Sequence, residues 1–261
     1  VATFLVMSVS GPVLLAEDKS LNIEAKTLAK DLGLLFGGSL FDLRNQLKIV
    51  KDDQNKKYFL VLELNGIYLR QGITGRGKPI FSDFLKWSGD LKKTNLTRTM
   101  KGISRDSMII DATAGLGQDS LVLASLSSHV TLLEKVPWIH ALLVDGLSKS
   151  KKQNVLLNKM HPICVDSRSY LLGLKQKVDV IYLDPMFSWS DKSKAKKEIQ
   201  ALRELTEFEE NENLLGISLK KAEERVVVKR HRNSGYLEGF KPTFSLFGRV
   251  VRYDVYSLKL N

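Results

Sequence analysis

The chain reads as a doubly wound α/β core, a mostly parallel sheet with helices on both faces, preceded by a smaller α+β unit. Three observations point there. From about residue 107 onward, short apolar runs alternate with stretches of helical periodicity, which is the pattern of strands joined by crossover helices. The first 80 residues carry instead a helical stripe and a hairpin signature. The length of 261 residues accommodates both. We place the boundary between residues 1–90 and 91–261.

The opening VATFLVMSVSGPVLLAED has the apolarity of a secretory segment, but a Gly-Pro interrupts it and no basic stretch precedes it, so it reads as a buried strand and turn. No run is long and apolar enough to span a membrane as a helix. In KSLNIEAKTLAKDLGLLF, Leu21, Ile23, Ala25, Leu28, Ala29, Leu32 and Leu35 fall near one stripe of a packing helix. KKYFLVLELNGIYLRQ reads as a hairpin turning at Asn65-Gly66. GITGRGKP, from Gly72, has phosphate-loop spacing, but Pro79 stands where the magnesium-binding hydroxyl belongs, leaving a basic loop.

Residues 80–106 are basic and interrupted, a connecting helix and loop. The core then follows in order. SMIIDATAG is a strand entering a glycine turn and helix. HVTLLEK is a second strand, and Pro137 starts a helix burying Ile139, Leu142, Leu143, Gly146 and Leu147. HPICVDS and VDVIYLDP are the third and fourth strands, ERVVVKRHR the fifth, and GRVVRYDVYSL a late antiparallel strand near the sheet edge.

Composition narrows the chemistry. A formal net charge of +11 and a pI near 9.6 favour a polyanionic partner, most simply nucleic acid. Cys164 is the only cysteine, so no internal disulfide forms; a reducing cytoplasm fits, and the residue reads as a small buried strand position. His129, His140, His161 and His231 have no zinc-like spacing, so no metal is expected.

In a doubly wound sheet, ligands collect at the carboxyl ends of the strands. Four ends carry acids: Asp111, Glu134, Asp166 and Asp184. Gly115 and Gly117 let the backbone approach a ligand, and Gln118 and Asp119 open the next helix. Glu134 stands about 20 residues beyond the turn, where a carboxylate accepts from ribose hydroxyls, so an adenosine-containing cofactor is expected. A nicotinamide fingerprint would need Gly or Ala where Ser120 stands.

The fourth strand ends in Asp184-Pro185-Met186-Phe187, which resembles the [D/N]-P-P-[Y/F] tetrapeptide of S-adenosylmethionine-dependent methyltransferases acting on exocyclic base nitrogens, with Met in third place. The chemistry is coherent. Asp184 and the Pro185 carbonyl would accept the N–H bonds of a base amine, freeing its lone pair, while Phe187 stacks on the extruded base. The tetrapeptide alone does not choose among guanine N2, adenine N6 and cytosine N4.

DATAGLGQDSLVLAS, LLEKVPWIHALLVDGL, VIYLDPMF, KSKAKKEIQALREL, RVVVKR and RYDVY together resemble the small-subunit ribosomal RNA methyltransferase J family over roughly residues 96–257. That resemblance implies a Rossmann-like class I methyltransferase core and transfer of methyl from S-adenosylmethionine to guanine N2 in 16S ribosomal RNA, free or in the small subunit, with S-adenosylhomocysteine as the other product. It further implies that Gln118-Asp119, Glu134-Lys135 and Asp166-Ser167 match the family's cofactor-contacting pairs, with Asp184 beside the transferred methyl. No obligate protein partner is implied. Apart from the family, Lys192, Lys194, Lys196 and Lys197 form a basic helix start after the proposed catalytic turn, and Lys229, Arg230 and Arg232 end the fifth strand. These seven are candidate RNA contacts. A noncatalytic RNA-binding or assembly factor on the same fold is the alternative from another class.

Overall fold

The computed structural model describes residues 11–46, 58–73, 78–89, 91, 94–185, 201–202, 205–206 and 213–259. Two compact units are present, Val1–Phe81 with Ser188–Phe208, and Ser82–Phe187 with Glu209–Asn261.

The first unit is built on a four-stranded sheet in the order β2-β1-β3-β4, with β1 Val13–Ala16, β2 Phe36–Ser39, β3 Tyr58–Glu63 and β4 Gly66–Gln71. β1 runs parallel to both neighbours, and β3 and β4 form the expected hairpin. Its turn sits one residue earlier than anticipated: Glu63 pairs with Gly66, so Leu64 and Asn65 make the turn and Gly66 opens β4 at a φ of 131°. Helix α1, Asn22–Asp31, buries Ala25 and Ala29 and half-buries Leu28, whereas Ile23 is 80% exposed and Leu35 59%. The expected stripe was too wide. Ile23 precedes Ala25 by two residues, about 200° around the helix, and Leu35 lies beyond the helix end. Helix α2, Leu40–Gln46, follows β2, and Leu15, Leu40, Phe59, Val61 and Ile73 form this unit's apolar cluster.

The second unit is the doubly wound core. Its seven-stranded sheet has the order β10-β11-β9-β8-β5-β6-β7, with β5 Met108–Asp111, β6 His129–Glu134, β7 Met160–Cys164, β8 Val178–Leu183, β9 Ala222–His231, β10 Phe244–Phe247 and β11 Val251–Ser257. The five strands from β7 to β9 are mutually parallel; β11 runs antiparallel to β9 and to β10. The late antiparallel strand is therefore β11, with β10 as an additional edge strand outside it. Short β10, FSLF, lacks the polar alternation that marks a strand.

Strand periodicity assigns each residue to a face. Ile109, Val180, Tyr182 and Val227 point into one apolar cluster with Phe84 of α3 (Phe84–Trp87), Leu96 of α4 (Asn95–Thr99), Leu121 of α5 (Gln118–Ala124) and Leu143 of α6 (Pro137–Ser150). Ile110, Ile181, Leu183, Val226 and Val228 point into the other, against Leu171 of α7 (Ser167–Gly173) and Leu214, Leu215 and Ile217 of α8 (Leu214–Lys221). The buried face of α6 is the one anticipated, with Trp138 and Ser150 added. Cys164 is not the buried residue expected. It ends β7, the outer strand, which pairs with β6 alone, so the thiol is exposed. No helix of the described residues is long and apolar enough to cross a membrane.

Close packing of α6 against the segment leading into α3 depends on Gly146, where a Cβ would come within 2.4 Å of the Ser82 carbonyl oxygen. Helix propensity alone favours Gly146→Ala by about 1 kcal/mol, but the obstacle is backbone and cannot swing away. Gly146→Ala is therefore expected to lower stability by about 1–3 kcal/mol in thermal or urea unfolding. An unchanged or raised midpoint would contradict this packing.

Candidate active site

The site is assembled at the carboxyl ends of β5, β6, β8 and β9, within the second unit. β5 ends at Asp111, 1% exposed, whose carboxylate accepts the Thr113 amide at 3.1 Å and the Ser120 hydroxyl at 2.5 Å. One residue thus clamps both sides of the turn. Burial pushes the Asp111 carboxyl up to about 7, against the Ser120 and Thr113 bonds and with the aid of the Asp119 and Asp184 charges.

Between these clamps the chain passes through Gly115 at a φ of 53° and Gly117 at 84°, backbone conformations that side chains disfavour. Their surroundings differ. A Cβ on Gly117 would meet Leu143 and Phe84 at 2.7 and 3.0 Å, so this glycine serves packing. A Cβ on Gly115 would meet nothing within 4 Å, so the backbone there borders open space. The turn is also tied outward, by Ala114 N–H to the Leu133 carbonyl at 3.0 Å and by the Ser82 hydroxyl to the Leu116 carbonyl at 2.8 Å.

Glu134 ends β6 and is buried. Its two oxygens accept the amides of Gly115, at 3.1 Å, and Val136, at 2.8 Å. Burial raises its carboxyl, opposed by those amides and by the Lys135 charge. A carboxylate has about four acceptor positions, which suits further donors such as ribose hydroxyls. Asp166, exposed after β7, caps α7 through the Ser169 amide at 2.8 Å. Burial pushes its carboxyl up, but the Ser169 bonds and the Lys135 and Arg168 charges hold it below the ordinary range. The Ser167 hydroxyl donates to the Ala112 carbonyl, so this side chain braces β5. Gln118 and Lys135 are exposed.

Asp184 follows β8, half-buried, with its amide donated to the Thr113 hydroxyl at 2.6 Å. Across from it lies the feature that sequence reasoning missed. Lys229 Nζ donates to Asp184 Oδ2 at 2.8 Å and to Asp119 Oδ2 at 2.7 Å, and the buried Tyr182 hydroxyl donates to the same Asp119 oxygen at 2.7 Å. Burial alone would depress the Lys229 ammonium, but Asp184 and Asp119 more than offset it and hold it well above the usual lysine value. Burial, with the Asp119 charge next, raises the hydroxyls of Tyr182 and Tyr253, so both stay protonated. The signal was present as period: Lys229 is two residues after Val227, on the face that also carries Tyr182 and Tyr253.

The three basic residues ending β9 therefore separate. Lys229 is engaged with two carboxylates, and Arg230 is buried with its guanidinium donating to the Gly235 carbonyl at 3.0 and 3.2 Å. Charged groups at a strand end point alternately to the two faces, and here both faces are covered. Arg232, beyond the strand, is exposed. Pro185 is buried beside Asp184. Phe187, Lys192, Lys194, Lys196 and Lys197 lie outside the described residues.

Against known proteins, a family model described as SAM-dependent methyltransferase matches residues 42–258. The chain is 34% identical over 252 residues to a protein of Marinobacter nauticus named "Ribosomal RNA small subunit methyltransferase J", covering 90% of this chain and 87% of that one. A protein of the same name from Coxiella burnetii is 37% identical over 213 residues, covering 77% and 84%. Among solved structures, a SAM-dependent methyltransferase from Neisseria gonorrhoeae superposes with a TM-score of 0.66 at 25% identity, covering 94% of this chain and 95% of that one.

Asp111 makes stability depend on pH in a defined direction. Its carboxyl titrates near 7 in the folded chain and near 3.8 unfolded, so the folded state binds the extra proton between those values. Stability from this group is complete below about pH 4 and is lost as pH rises to about 7. Asp111→Asn, which keeps an acceptor for Thr113 and offers Ser120 a donor, should remove up to about 1.4 kcal/mol per pH unit from that slope in urea unfolding. A slope identical to the parent's would place the titration elsewhere.

Proposed function

This chain belongs to the ribosomal RNA small subunit methyltransferase J family of SAM-dependent methyltransferases, and we propose that it transfers the methyl group of S-adenosylmethionine to the exocyclic N2 of a guanine in small-subunit ribosomal RNA. The observation that carries this reading is the pairing of open space at the Gly115 backbone with Asp184, whose amide is hydrogen-bonded to Thr113 two residues before that glycine.

The residues present fit the cofactor. The backbone at Gly115 borders open space, Glu134 is an acceptor-only carboxylate held at that turn, and Asp166 carries a further carboxylate after β7. In this reading Glu134 takes the ribose hydroxyls and Asp166 the adenine amino group, with Gln118, Asp119, Lys135 and Ser167 completing the surroundings. When bound, the cofactor supplies an electrophilic sulfonium methyl.

Asp184 and the Pro185 carbonyl accept the N–H bonds of the target amine, so that its lone pair is less delocalised into the ring and is aimed at the methyl. The target nitrogen would take the methyl that the bound cofactor supplies, and the amine proton it releases would pass to the Asp184 carboxylate. Phe187 stacks on the extruded base. Lys229 stays protonated and acts as a positioning residue: donating to Oδ2 of Asp184, it fixes the orientation of that carboxylate. Arg232 and the lysines 192, 194, 196 and 197 serve as phosphate contacts.

Labelled S-adenosylmethionine and calorimetry test this reading together. Asp184→Ala should lower transfer to unmethylated small-subunit RNA by about 100-fold or more while still binding cofactor. Full activity would remove Asp184 from the chemistry. Lys229→Met is expected to reduce kcat by at least about tenfold with little change in cofactor affinity, and Lys229→Arg to recover part of the loss, since it restores a cation between Asp119 and Asp184. Equal activity in parent and Lys229→Met would show that the bridge is dispensable. Glu134→Ala should weaken cofactor binding by about tenfold or more, because the ribose acceptor and the brace on Gly115 are lost together.

A further inference from the structure

The antiparallel side of the second unit carries a surface that the transfer chemistry leaves unused. β9 ends at His231 opposite Val251, and Phe247 at the end of β10 stands opposite Arg252, so the 248–250 turn lies at the same end of the sheet as the active site. Two aromatic rings are open to solvent there, Phe247 at 57% and Tyr236 at 43%. Each is faced by a guanidinium, Arg232 at 5.7 Å from the Phe247 ring centre and Arg252 at 5.2 Å from that of Tyr236. Val250 and Arg249 are exposed beside them.

This surface is held in place from beneath. Arg252 is buried, paired with Asp254 at 2.8 and 3.0 Å, and donates to the carbonyls of Arg232 at 2.8 Å and Ser234 at 2.6 Å, which fixes the 232–235 loop. Arg232 is anchored through its amide to the Val250 carbonyl and through Nη1 to the Gly248 carbonyl, each at 2.9 Å. Asp254, the partner of Arg252, is fully buried, whereas Arg232 and Arg249 are exposed; the exposed Glu238, two residues after Tyr236, is turned to the Leu215 and Gly216 amides. Two exposed rings with the exposed arginines Arg232 and Arg249 at the same sheet end, on a chain of net charge +11, suit bases that stack and the phosphates that join them. Arg232 is three residues beyond Lys229, about 10 Å at strand rise, which is within reach of nucleotides flanking a base held at Asp184.

Building on the RNA methyl-transfer reading, we propose that Phe247, Tyr236, Arg232 and Arg249 form a docking surface for single-stranded RNA adjoining the target base. The test is fluorescence anisotropy of the full chain with a labelled single-stranded oligoribonucleotide at several salt concentrations. Phe247→Ala should weaken binding about tenfold and Phe247→Tyr should retain it. Arg249→Glu should weaken binding and lower the slope of log affinity against log salt by about one. In transfer assays the same variants should raise the KM for RNA, leaving kcat and calorimetric cofactor affinity within about twofold. Unchanged RNA affinity in both Phe247→Ala and Arg249→Glu would overturn the proposal, and an accompanying change in sedimentation would assign the surface to contact between two copies of the chain. The anisotropy arm stands apart from product identity: loss of RNA binding in the variants together with the wrong methylated nucleoside refutes the guanine assignment and leaves the surface standing.

Discussion

The buried carboxylate of Asp111 is the constraint on which the site depends. It sits at the end of the central parallel strand, held by a backbone amide and a hydroxyl. Burying an acid this way is costly, as its elevated titration shows. What the cost secures is the turn. Thr113, held by Asp111, accepts the Asp184 amide, and Gly115, two residues on, donates to Glu134. The ends of β5, β6 and β8 are thereby locked to one another before any ligand arrives, which is the preorganisation that positional catalysis needs.

Strand alternation then decides which side chains can meet. Tyr182, Lys229 and Tyr253 share the face covered by α5, and Asp119 sits in the first turn of that helix. Two carboxylates near one another would repel; Lys229 between them converts the repulsion into a fixed three-residue bridge. The protonated tyrosine hydroxyl adds a donor to Asp119, leaving more of the ammonium's interaction for Asp184.

Much of this was legible from residues alone, for identifiable reasons. The order of strands and helices in the core follows from apolar runs separated by amphipathic stretches, and the acids ending β5, β6, β7 and β8 were visible as charges terminating those runs. The glycine turn announced itself by residue type. Other features depend on tertiary context. β10 is too short to show alternation, Cys164 is exposed because β7 happens to be the outer strand, and the α1 stripe narrowed because Ile23 and Leu35 face solvent. Lys229 and Arg230 looked like a basic run available to phosphate. Only the sheet shows that one turns toward the carboxylates and the other toward the Gly235 carbonyl.

The central claim joins a cofactor turn, a bridged carboxylate and a basic chain into one reaction, methylation of guanine N2 in small-subunit ribosomal RNA. Its most direct test is nucleoside mass spectrometry of unmethylated small-subunit RNA, free and assembled, after incubation with the protein and S-adenosylmethionine. The account predicts N2-methylguanosine in at least one of the two substrates. N6-methyladenosine or N4-methylcytidine would contradict the assignment of the target amine, and no incorporation by a protein that binds the cofactor in calorimetry would contradict the reaction itself.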